Sequence, residues 1–343
     1  MKGVVKYDRG DGFVELRDVE DTPPLPHQVK VEVKASGICG SDLHILHDDI
    51  AIPIYPPVVV GHEFSGVVVE KGSEVGDDIH IGDRVTGEPS TYICGECLFC
   101  REERYHLCSD RKILGYSANG CFTKYCNVTF LHKLPDNVSY NAGACTELIA
   151  CCLHGVIEQT GISAGDLVVV TGPGPVGIFA ALIAMAEGGI VMVCGRSSDE
   201  SRLKLAEDLG IPYTINIDEE DALERVRGLS NGYGADVVLE CSGAGPAVSM
   251  GLDMVRKRGK FTQVGLFGRP IEVNFEAIAF KEIFVKGTLS QSTFAWRRSL
   301  KLMELGIIPA DRLVSHEFAL EEWKKAFDMV ENQEGMKIVL IPE

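Results

Sequence analysis

Two short stretches of the chain carry side chains of the kinds that bind zinc. Cys39 opens one stretch, and His62 and Glu63 lie side by side in the other. Zinc takes thiolate, imidazole and carboxylate ligands, and a catalytic zinc site uses three protein ligands and keeps the fourth position open for water or substrate. Cys39, His62 and Glu63 therefore predict a catalytic zinc site.

A second group of thiols predicts a structural metal site. Its members are Cys94, Cys97, Cys100 and Cys108. Four cysteines at these separations fit a closed tetrahedral site, in which no position stays open for substrate. In a cytosolic chain of this length, cysteines indicate metal ligands and buried thiols rather than a disulfide framework. With the site at Cys39, the sequence predicts two zinc ions per chain.

A glycine-rich stretch predicts a dinucleotide site. Its residues are Gly172, Gly174, Pro175, Val176 and Gly177, in the pattern G-x-G-x-x-G. The first glycine permits a tight turn and the second lets a pyrophosphate approach the backbone, while the following helix supplies N–H groups and a positive dipole. The pattern is specific here because a predicted strand over 166–171 precedes it and a predicted helix over 176–186 follows it.

The residues after the next predicted strand bear on the choice of dinucleotide. An Asp or Glu at this place binds the ribose 2′-hydroxyl of NAD, but the chain has Gly195, Arg196 and Ser197. Arg196 offers a planar cation and Ser197 a donor for a 2′-phosphate, and no carboxylate ends the strand to repel it. Asp199 lies late for the hydroxyl role. We expect NADP to be preferred and NAD to be possible; if Arg196 is only an exposed loop residue, both would be accepted.

These residues fall in regions of different texture. Residues 1–150 are β-rich and include a cysteine lobe at 91–110, whereas residues 151–290 alternate strands and helices. Strands are predicted over 166–171, 190–194, 213–217, 237–241, 261–265 and 284–287. Six such strands with helices between most of them indicate a doubly wound parallel sheet in an α/β protein. Residues 291–343 leave the alternation, and we expect them to return to the first domain.

The composition and net charge indicate which classes of partner the protein can bind. The 343 residues carry a formal net charge of -17, whereas nucleic-acid binding needs clustered Lys and Arg. No apolar run approaches the roughly 20 residues that cross a bilayer, and the first residues enter a strand-like pattern directly. We therefore expect a small-molecule partner, no nucleic acid, no membrane and a cytoplasmic location.

Together these motifs resemble the zinc-containing medium-chain alcohol dehydrogenase superfamily, and the resemblance covers essentially the whole chain. The motif at 61–63, the cysteine lobe and the glycine-rich stretch occur in the order that this family uses. Within it, the chain looks most like the polyol dehydrogenases, which include the sorbitol and D-arabitol-phosphate enzymes, and the related threonine dehydrogenases. The stretches 86–97 and 264–267 look closest to the arabitol-phosphate enzymes.

The resemblance implies a GroES-like catalytic domain and a Rossmann domain. It implies oxidation of a secondary hydroxyl of a sugar alcohol or its phosphate to the ketose, with hydride passing to nicotinamide C4. The family's catalytic zinc ligands carry over onto the three residues named first. A further glutamate, which touches the zinc directly or through water, carries over onto Glu147, although the family's following proline is Leu148 here. The family is commonly tetrameric, built from dimers joined through the Rossmann sheet edge, so a homo-tetramer or homo-dimer is expected.

In the related enzymes a hydroxyl and an imidazole relay the departing proton, and Ser41 and His44 match these positions. Ser41 also suits a helix cap and His44 a structural histidine. The arginine that binds polyols in sorbitol dehydrogenases is missing from 287–292. Arg297 and Arg298 lie further along and could reach a substrate phosphate, or they are helix-surface charges.

Three other functions stay open. A threonine-type amino alcohol dehydrogenase would keep every metal and cofactor residue and differ only in its pocket. A zinc-independent quinone or enone reductase would not need Cys39, His62 and Glu63 together. A non-enzymatic zinc- and nucleotide-binding protein would have an empty catalytic site.

Overall fold

The structure is a computed structural model that describes all 343 residues. The chain forms two compact units, one made of Met1–Leu148 with Ser292–Glu343 and the other of Ile149–Gln291. No helix combines the length and the apolar character that crossing a membrane requires.

The strands are β1 (Lys2–Lys6), β2 (Val14–Asp18), β3 (Val29–Gly37), β4 (Val58–Val59), β5 (Glu63–Lys71), β6 (Arg84–Gly87), β7 (Ser90–Tyr92), β8 (Lys112–Ile113), β9 (Tyr125–Val128), β10 (Leu131–Lys133), β11 (Leu167–Thr171), β12 (Ile190–Gly195), β13 (Tyr213–Asn216), β14 (Ala235–Glu240), β15 (Val255–Gln263), β16 (Phe284–Gly287), β17 (Val314–Ala319) and β18 (Lys337–Ile341). The α-helices are α1 (Gly40–His47), α2 (Leu98–Arg101), α3 (Tyr140–Ala144), α4 (Thr146–Leu153), α5 (Pro175–Ala186), α6 (Glu200–Asp208), α7 (Ala222–Leu229), α8 (Gly245–Met254), α9 (Glu276–Lys281), α10 (Thr293–Glu304) and α11 (Trp323–Glu331). A π-helix, His154–Thr160, continues from α4.

The first unit is built around a mainly antiparallel sheet. Its strands follow the order β10-β6-β5-β3-β18-β17, with β9 also paired to β3. Alternate apolar residues of β3, including Val29, Val31 and Val33, lie on one face of the strand and enter one buried cluster, as the two-residue period of a strand predicts. The C-terminal strand β18 pairs antiparallel with β3, Leu340 opposite Ser36. This pairing brings the last residues of the chain beside the segment that leads into α1.

The second unit contains the doubly wound parallel sheet that the sequence predicts, and that prediction is confirmed. The strand order is β13-β12-β11-β14-β15-β16 and every neighbouring pair is parallel. Strand order reverses at β11, which is fully buried and is apolar except for its last residue, Thr171. In such sheets ligands bind outside the carboxyl ends of the strands, at the point of reversal. The glycine-rich stretch follows β11 at this point.

Three elements differ from the sequence-based expectation. Strand β15 begins at Val255, whereas the sequence predicts a strand only from residue 261. The earlier part was missed because segment 256–260 is charged, contains a glycine and lacks an apolar run. Its partner β14 shifts register between Ala235 and Val237 at this place. Helix α9 and strand β17 were not predicted; β17 is exposed along most of its length and offers no strong apolar pattern.

Candidate active site

The three side chains of the predicted catalytic zinc site converge within the first unit. Cys39 lies between β3 and α1, His62 immediately precedes β5, and Glu63 begins it. Their ligand atoms all lie within 4.8 Å of one another. Glu63 is fully buried, and its Oε1 has no hydrogen-bond partner in the protein. A buried carboxylate oxygen is costly unless a donor or cation faces it, so this donor set fits a zinc ion.

Asp42 links two of these ligands. Cys39 is the N-cap of α1, and its backbone N–H donates to Asp42 Oδ2 over 2.9 Å. The other oxygen, Oδ1, lies 3.6 Å from His62 Nδ1. A carboxylate behind a metal-binding histidine fixes the ring orientation and raises its basicity. Asp42 is therefore both the helix-start carboxylate and the partner of the histidine ligand.

Lys337 is a contact of the site that the sequence analysis missed. It is 2% exposed, pairs with Glu63 and donates to the Ile38 carbonyl over 2.8 Å. Burial lowers the pKa of Lys337, but the Glu63 carboxylate outweighs this effect and leaves the pKa raised. Gly37 leaves room for the pair, since a Cβ there would lie 2.4 Å from Glu63 Oε2. A lysine beginning an otherwise apolar strand was the available signal.

The predicted proton-relay residues both lie on α1. Ser41 and His44 are three residues apart and therefore share one face of the helix. His44 Nδ1 lies 2.8 Å from Asp49 Oδ1, and the Ser41 hydroxyl is buried beside Tyr116. Burial raises the pKa of Tyr116 well above its usual value. Their part in a relay stays a prediction.

Glu147 is buried in the first turn of α4, where the helix dipole stabilises a carboxylate. It does not belong to the group of three converging ligands. Whether this carboxylate reaches a metal in the protein therefore stays a prediction.

The four cysteines of the lobe also converge, at Cys94, Cys97, Cys100 and Cys108. The sulfurs of Cys94 and Cys100 are 3.8 Å apart, and those of Cys94 and Cys108 are 3.6 Å apart. Ligands about 2.3 Å from a tetrahedral zinc have sulfurs about 3.8 Å apart, so the spacing fits this ion. Backbone N–H groups of Glu96 and Cys97 lower the pKa of Cys94 to about 7, which favours the thiolate that binds metal.

The glycine-rich loop has the geometry that a pyrophosphate needs. Gly172 has φ +91°, and a Cβ on Gly177 would lie 1.9 Å from the Gly172 carbonyl oxygen. A Cβ on Gly174 would meet nothing within 4 Å, so the backbone is open there. Gly174 is the N-cap of α5 and Pro175 its first residue, followed by Val176. The N–H groups of this helix end are free to face an anion.

Glu240 supports this loop and was not found from the sequence. The carboxylate is fully buried at the end of β14 and accepts hydrogen bonds from the Ser242 N–H (2.8 Å), the Gly243 N–H (3.2 Å) and Gln263 Nε2 (2.5 Å). Gly172 packs on the segment so fixed, since a Cβ there would lie 2.8 Å from the Ser242 Cβ. The only sign of this role in the sequence was a carboxylate at the end of an apolar strand.

The segment after β12 meets a carboxylate from the neighbouring strand. Gly195 ends β12, and a Cβ there would lie 2.8 Å from Pro173 Cγ. Asp218, two residues beyond β13, accepts from the Ser197 N–H over 3.0 Å and lies 3.4 Å from Arg196 Nε. β12 itself ends without a carboxylate, but Asp218 comes to lie beside Arg196 from the neighbouring strand, because parallel strands bring their carboxyl ends together.

Comparisons with known proteins agree with this architecture. Residues 25–136 match the family described as alcohol dehydrogenase GroES-like domain, and residues 175–305 match the family described as zinc-binding dehydrogenase. The chain is 46% identical to the sorbitol dehydrogenase of Halalkalibacterium halodurans, with 100% of this chain and 99% of the relative covered. It is 37% identical to the D-arabitol-phosphate dehydrogenase of Enterococcus avium, with 99% and 97% covered. A zinc-binding dehydrogenase from Sinorhizobium meliloti 1021, solved with NADP bound, superposes with a TM-score of 0.89 at 33% identity, covering 99% of each chain.

Proposed function

The chain belongs to the zinc-containing medium-chain alcohol dehydrogenases, and on that premise we propose that it oxidises a secondary hydroxyl of a sugar alcohol or sugar-alcohol phosphate to the ketose. The family resemblance noted from the sequence is confirmed, as is the combination of a GroES-like domain with a Rossmann sheet. The protein is accordingly a zinc-dependent, NAD(P)-linked oxidoreductase.

The convergence of Cys39, His62 and Glu63 carries the proposal. Three protein ligands leave one coordination position for substrate. When bound, zinc supplies a Lewis acid that lowers the pKa of a substrate hydroxyl, and nicotinamide supplies C4 as the hydride acceptor. Asp42 orients the histidine, and Lys337 balances the Glu63 charge. We assign Glu147 to the same zinc, directly or through water.

The departing proton leaves along α1 in this proposal. The Ser41 hydroxyl takes it from substrate and His44 accepts it in turn. Asp49 supports this direction, because a carboxylate 2.8 Å from His44 Nδ1 favours the tautomer that carries its hydrogen there. The proton-accepting nitrogen is then Nε2, and the partly exposed ring can release the proton to water.

We assign the dinucleotide to the loop at Gly172, Gly174 and Gly177, with NADP preferred and NAD accepted. Arg196 and Ser197 support the preference by offering a guanidinium and a hydroxyl after β12. We further assign two zinc ions to each chain, one of them in the cysteine lobe.

Relatives named for sorbitol and D-arabitol phosphate support a polyol or its phosphate as substrate. Arg297 and Arg298 hold exposed positions on α10 and are the candidate contacts of a substrate phosphate. An enzyme acting on threonine would differ from a polyol dehydrogenase only in its substrate pocket, so the substrate test includes threonine.

The test measures initial rates of nicotinamide reduction with xylitol, sorbitol, the arabitols, their phosphates and threonine, each with NADP and NAD, before and after chelation. Metal is counted in the same preparations. We expect chelator-sensitive turnover of a polyol or its phosphate and two zinc ions per chain. Turnover of threonine alone moves the substrate to the amino alcohols, and one zinc per chain with no turnover removes the catalytic assignment.

We also propose a cytoplasmic homo-oligomer, dimeric or tetrameric. Thiolate ligands stay reduced in the cytoplasm, and the chain has twelve cysteines outside disulfides. Strand β16 is one of the two edge strands of the parallel sheet, and all four of its residues are exposed. A second copy pairing along this edge would satisfy its backbone groups and cover its apolar side chains.

A further inference from the structure

We propose that Asp218 is a specificity-determining residue that lowers the protein's preference for a 2′-phosphorylated dinucleotide. The inference rests on the proposed function for the place of the ribose, beside Arg196 and Ser197. It goes beyond that function by assigning part of the discrimination between NADP and NAD to a residue that follows β13 rather than β12.

The contacts of Asp218 are those a 2′-phosphate would need. Its Oδ2 accepts the Ser197 N–H over 3.0 Å, and its Oδ1 lies 3.4 Å from Arg196 Nε. Asn216 completes the contact, since its Nδ2 donates to Ser197 Oγ over 3.0 Å. A carboxylate of the protein therefore already accepts from the backbone donor and lies beside the guanidinium at this edge.

Asp199 is nearer to Arg196 in the sequence, but its carboxylate is used in other contacts. Asp199 Oδ2 accepts the Arg196 N–H over 3.0 Å and its Oδ1 lies 3.6 Å from Arg202, so this carboxylate closes the short 3-10 turn 197–199 that precedes α6. Asp218, in contrast, is the carboxylate that lies against the guanidinium of Arg196. The Ser197 N–H and Arg196 also hold its pKa below the usual range, so it is ionised at neutral pH.

Asp218 already takes the Ser197 N–H, and a second anion beside Arg196 meets the negative charge of this carboxylate. A 2′-phosphate must displace Asp218 or lie beside it against charge repulsion, whereas a ribose hydroxyl can donate to the same carboxylate. Asp218 therefore weakens binding of NADP and supports binding of NAD. Arg196 acts in the opposite direction, and the ratio of the two cofactors reflects both residues.

The variant Asp218→Asn keeps an oxygen for the Ser197 N–H and removes the charge. Glu220→Gln is the matched control, since it removes the same charge from an exposed position two residues away. Binding is measured by fluorescence titration with NADPH and NADH, and by calorimetry with 2′,5′-ADP and 5′-ADP. These readouts require neither zinc nor a known substrate. Arg196→Ala is measured in parallel.

Asp218→Asn is expected to raise the affinity ratio of NADPH to NADH, and of 2′,5′-ADP to 5′-ADP, by about fivefold, an effect that shrinks as salt increases. Glu220→Gln should leave both ratios within twofold. An unchanged or lower ratio in Asp218→Asn overturns the inference. The proposed preference for NADP fails separately if the wild-type protein prefers NADH or if Arg196→Ala leaves NADPH binding unchanged; a rise in Asp218→Asn still supports the role of Asp218.

Discussion

The residues around Glu63 show how a charged ligand can be held inside the first unit. Glu63 and Lys337 are both buried, and each is the charged partner of the other. An ion pair of this kind contributes little net stability, but removing one partner leaves a buried charge uncompensated. A bound divalent ion would compensate the same carboxylate from its other side. Lys337 is therefore most important when the metal is absent.

The change Lys337→Met should destabilise the protein more after chelation than in the zinc-loaded state. The expected loss in the chelated protein is about 3 to 5 kcal/mol, as for other broken buried pairs. Thermal unfolding with and without chelator measures the difference. Lys325→Met, which removes an exposed lysine from α11, is the control. Equal losses in both metal states would show that Lys337 does not share the charge of Glu63 with a metal.

At the scale of elements, the turn between β11 and α5 contains glycines that are required for two different reasons. Gly177 lies where the helix packs against the turn, and a Cβ there would collide with the Gly172 carbonyl. Gly174 lies where the backbone is open. The first position is therefore restricted by packing inside the protein, and the second only by whatever approaches from outside.

Gly174→Ala and Gly177→Ala should consequently differ. Gly174→Ala is expected to keep the wild-type unfolding midpoint and to bind NADH and NADPH about tenfold more weakly, because the new methyl group lies where the pyrophosphate approaches. Gly177→Ala should lower the midpoint as well, since 1.9 Å is too close for any Cβ contact. Unfolding midpoints and nucleotide fluorescence test both; unchanged binding in Gly174→Ala would contradict the assignment of the loop.

A second link between elements depends on pH. His47 ends α1, and its ring nitrogens lie 2.8 Å from Asp11 Oδ1 and 2.9 Å from Glu331 Oε1, the last residue of α11. The hydrogen bond to Asp11 raises the pKa of His47, partial burial opposes the rise, and Glu331 adds to it. The folded state thus favours the charged ring. This stabilisation is complete below the unfolded-state pKa of about 6.5 and is lost as pH rises through the higher folded-state value.

His47→Gln should therefore lower the unfolding midpoint at pH 5.5 and leave it nearly unchanged at pH 9. The residue is partly exposed, so the expected effect is small, about 0.5 kcal/mol. His27→Gln, at an exposed position that no hydrogen bond fixes through its side chain, is the control for loss of a histidine. A larger effect at high pH than at low pH would refute the charged pairing.

At the scale of the whole molecule, the apolar surface of the second unit is uneven. Phe284 is 56% exposed and Val285 45% exposed on β16, at one edge of the parallel sheet. Phe280 on the preceding helix is also exposed. Edges of this kind associate readily unless charge or cover prevents it, and this edge carries only Lys286 as a charged residue within the strand.

Phe284→Lys should shift the protein toward smaller species in light scattering coupled to size-exclusion chromatography. Tyr233→Lys is the control, because it replaces an exposed aromatic residue of the same unit in a loop outside β16. Loss of association in both variants would indicate a general effect of surface charge. An unchanged mass in Phe284→Lys would place the interface elsewhere.

Much of the fold and of the chemistry follows from local patterns in the sequence. The cysteine lobe, the motif at 61–63 and the glycine-rich stretch combine unusual residue types with fixed spacing, so each restricts its own geometry. Alternating apolar segments likewise predicted the six parallel strands of the second unit. Helix α9 and strand β17 were missed because exposed, mixed-polarity segments carry no periodic signal.

The sequence by itself therefore determined the ligand types, the order of the motifs and the class of each domain, because these depend on neighbours within a few positions. Only the tertiary structure decided which distant side chains meet. Lys337 reaches Glu63 because β18 pairs with β3, and Asp218 reaches Arg196 because β13 and β12 are parallel neighbours. Both are charge contacts across strands, and the pairing of strands is set by the packing of the whole unit.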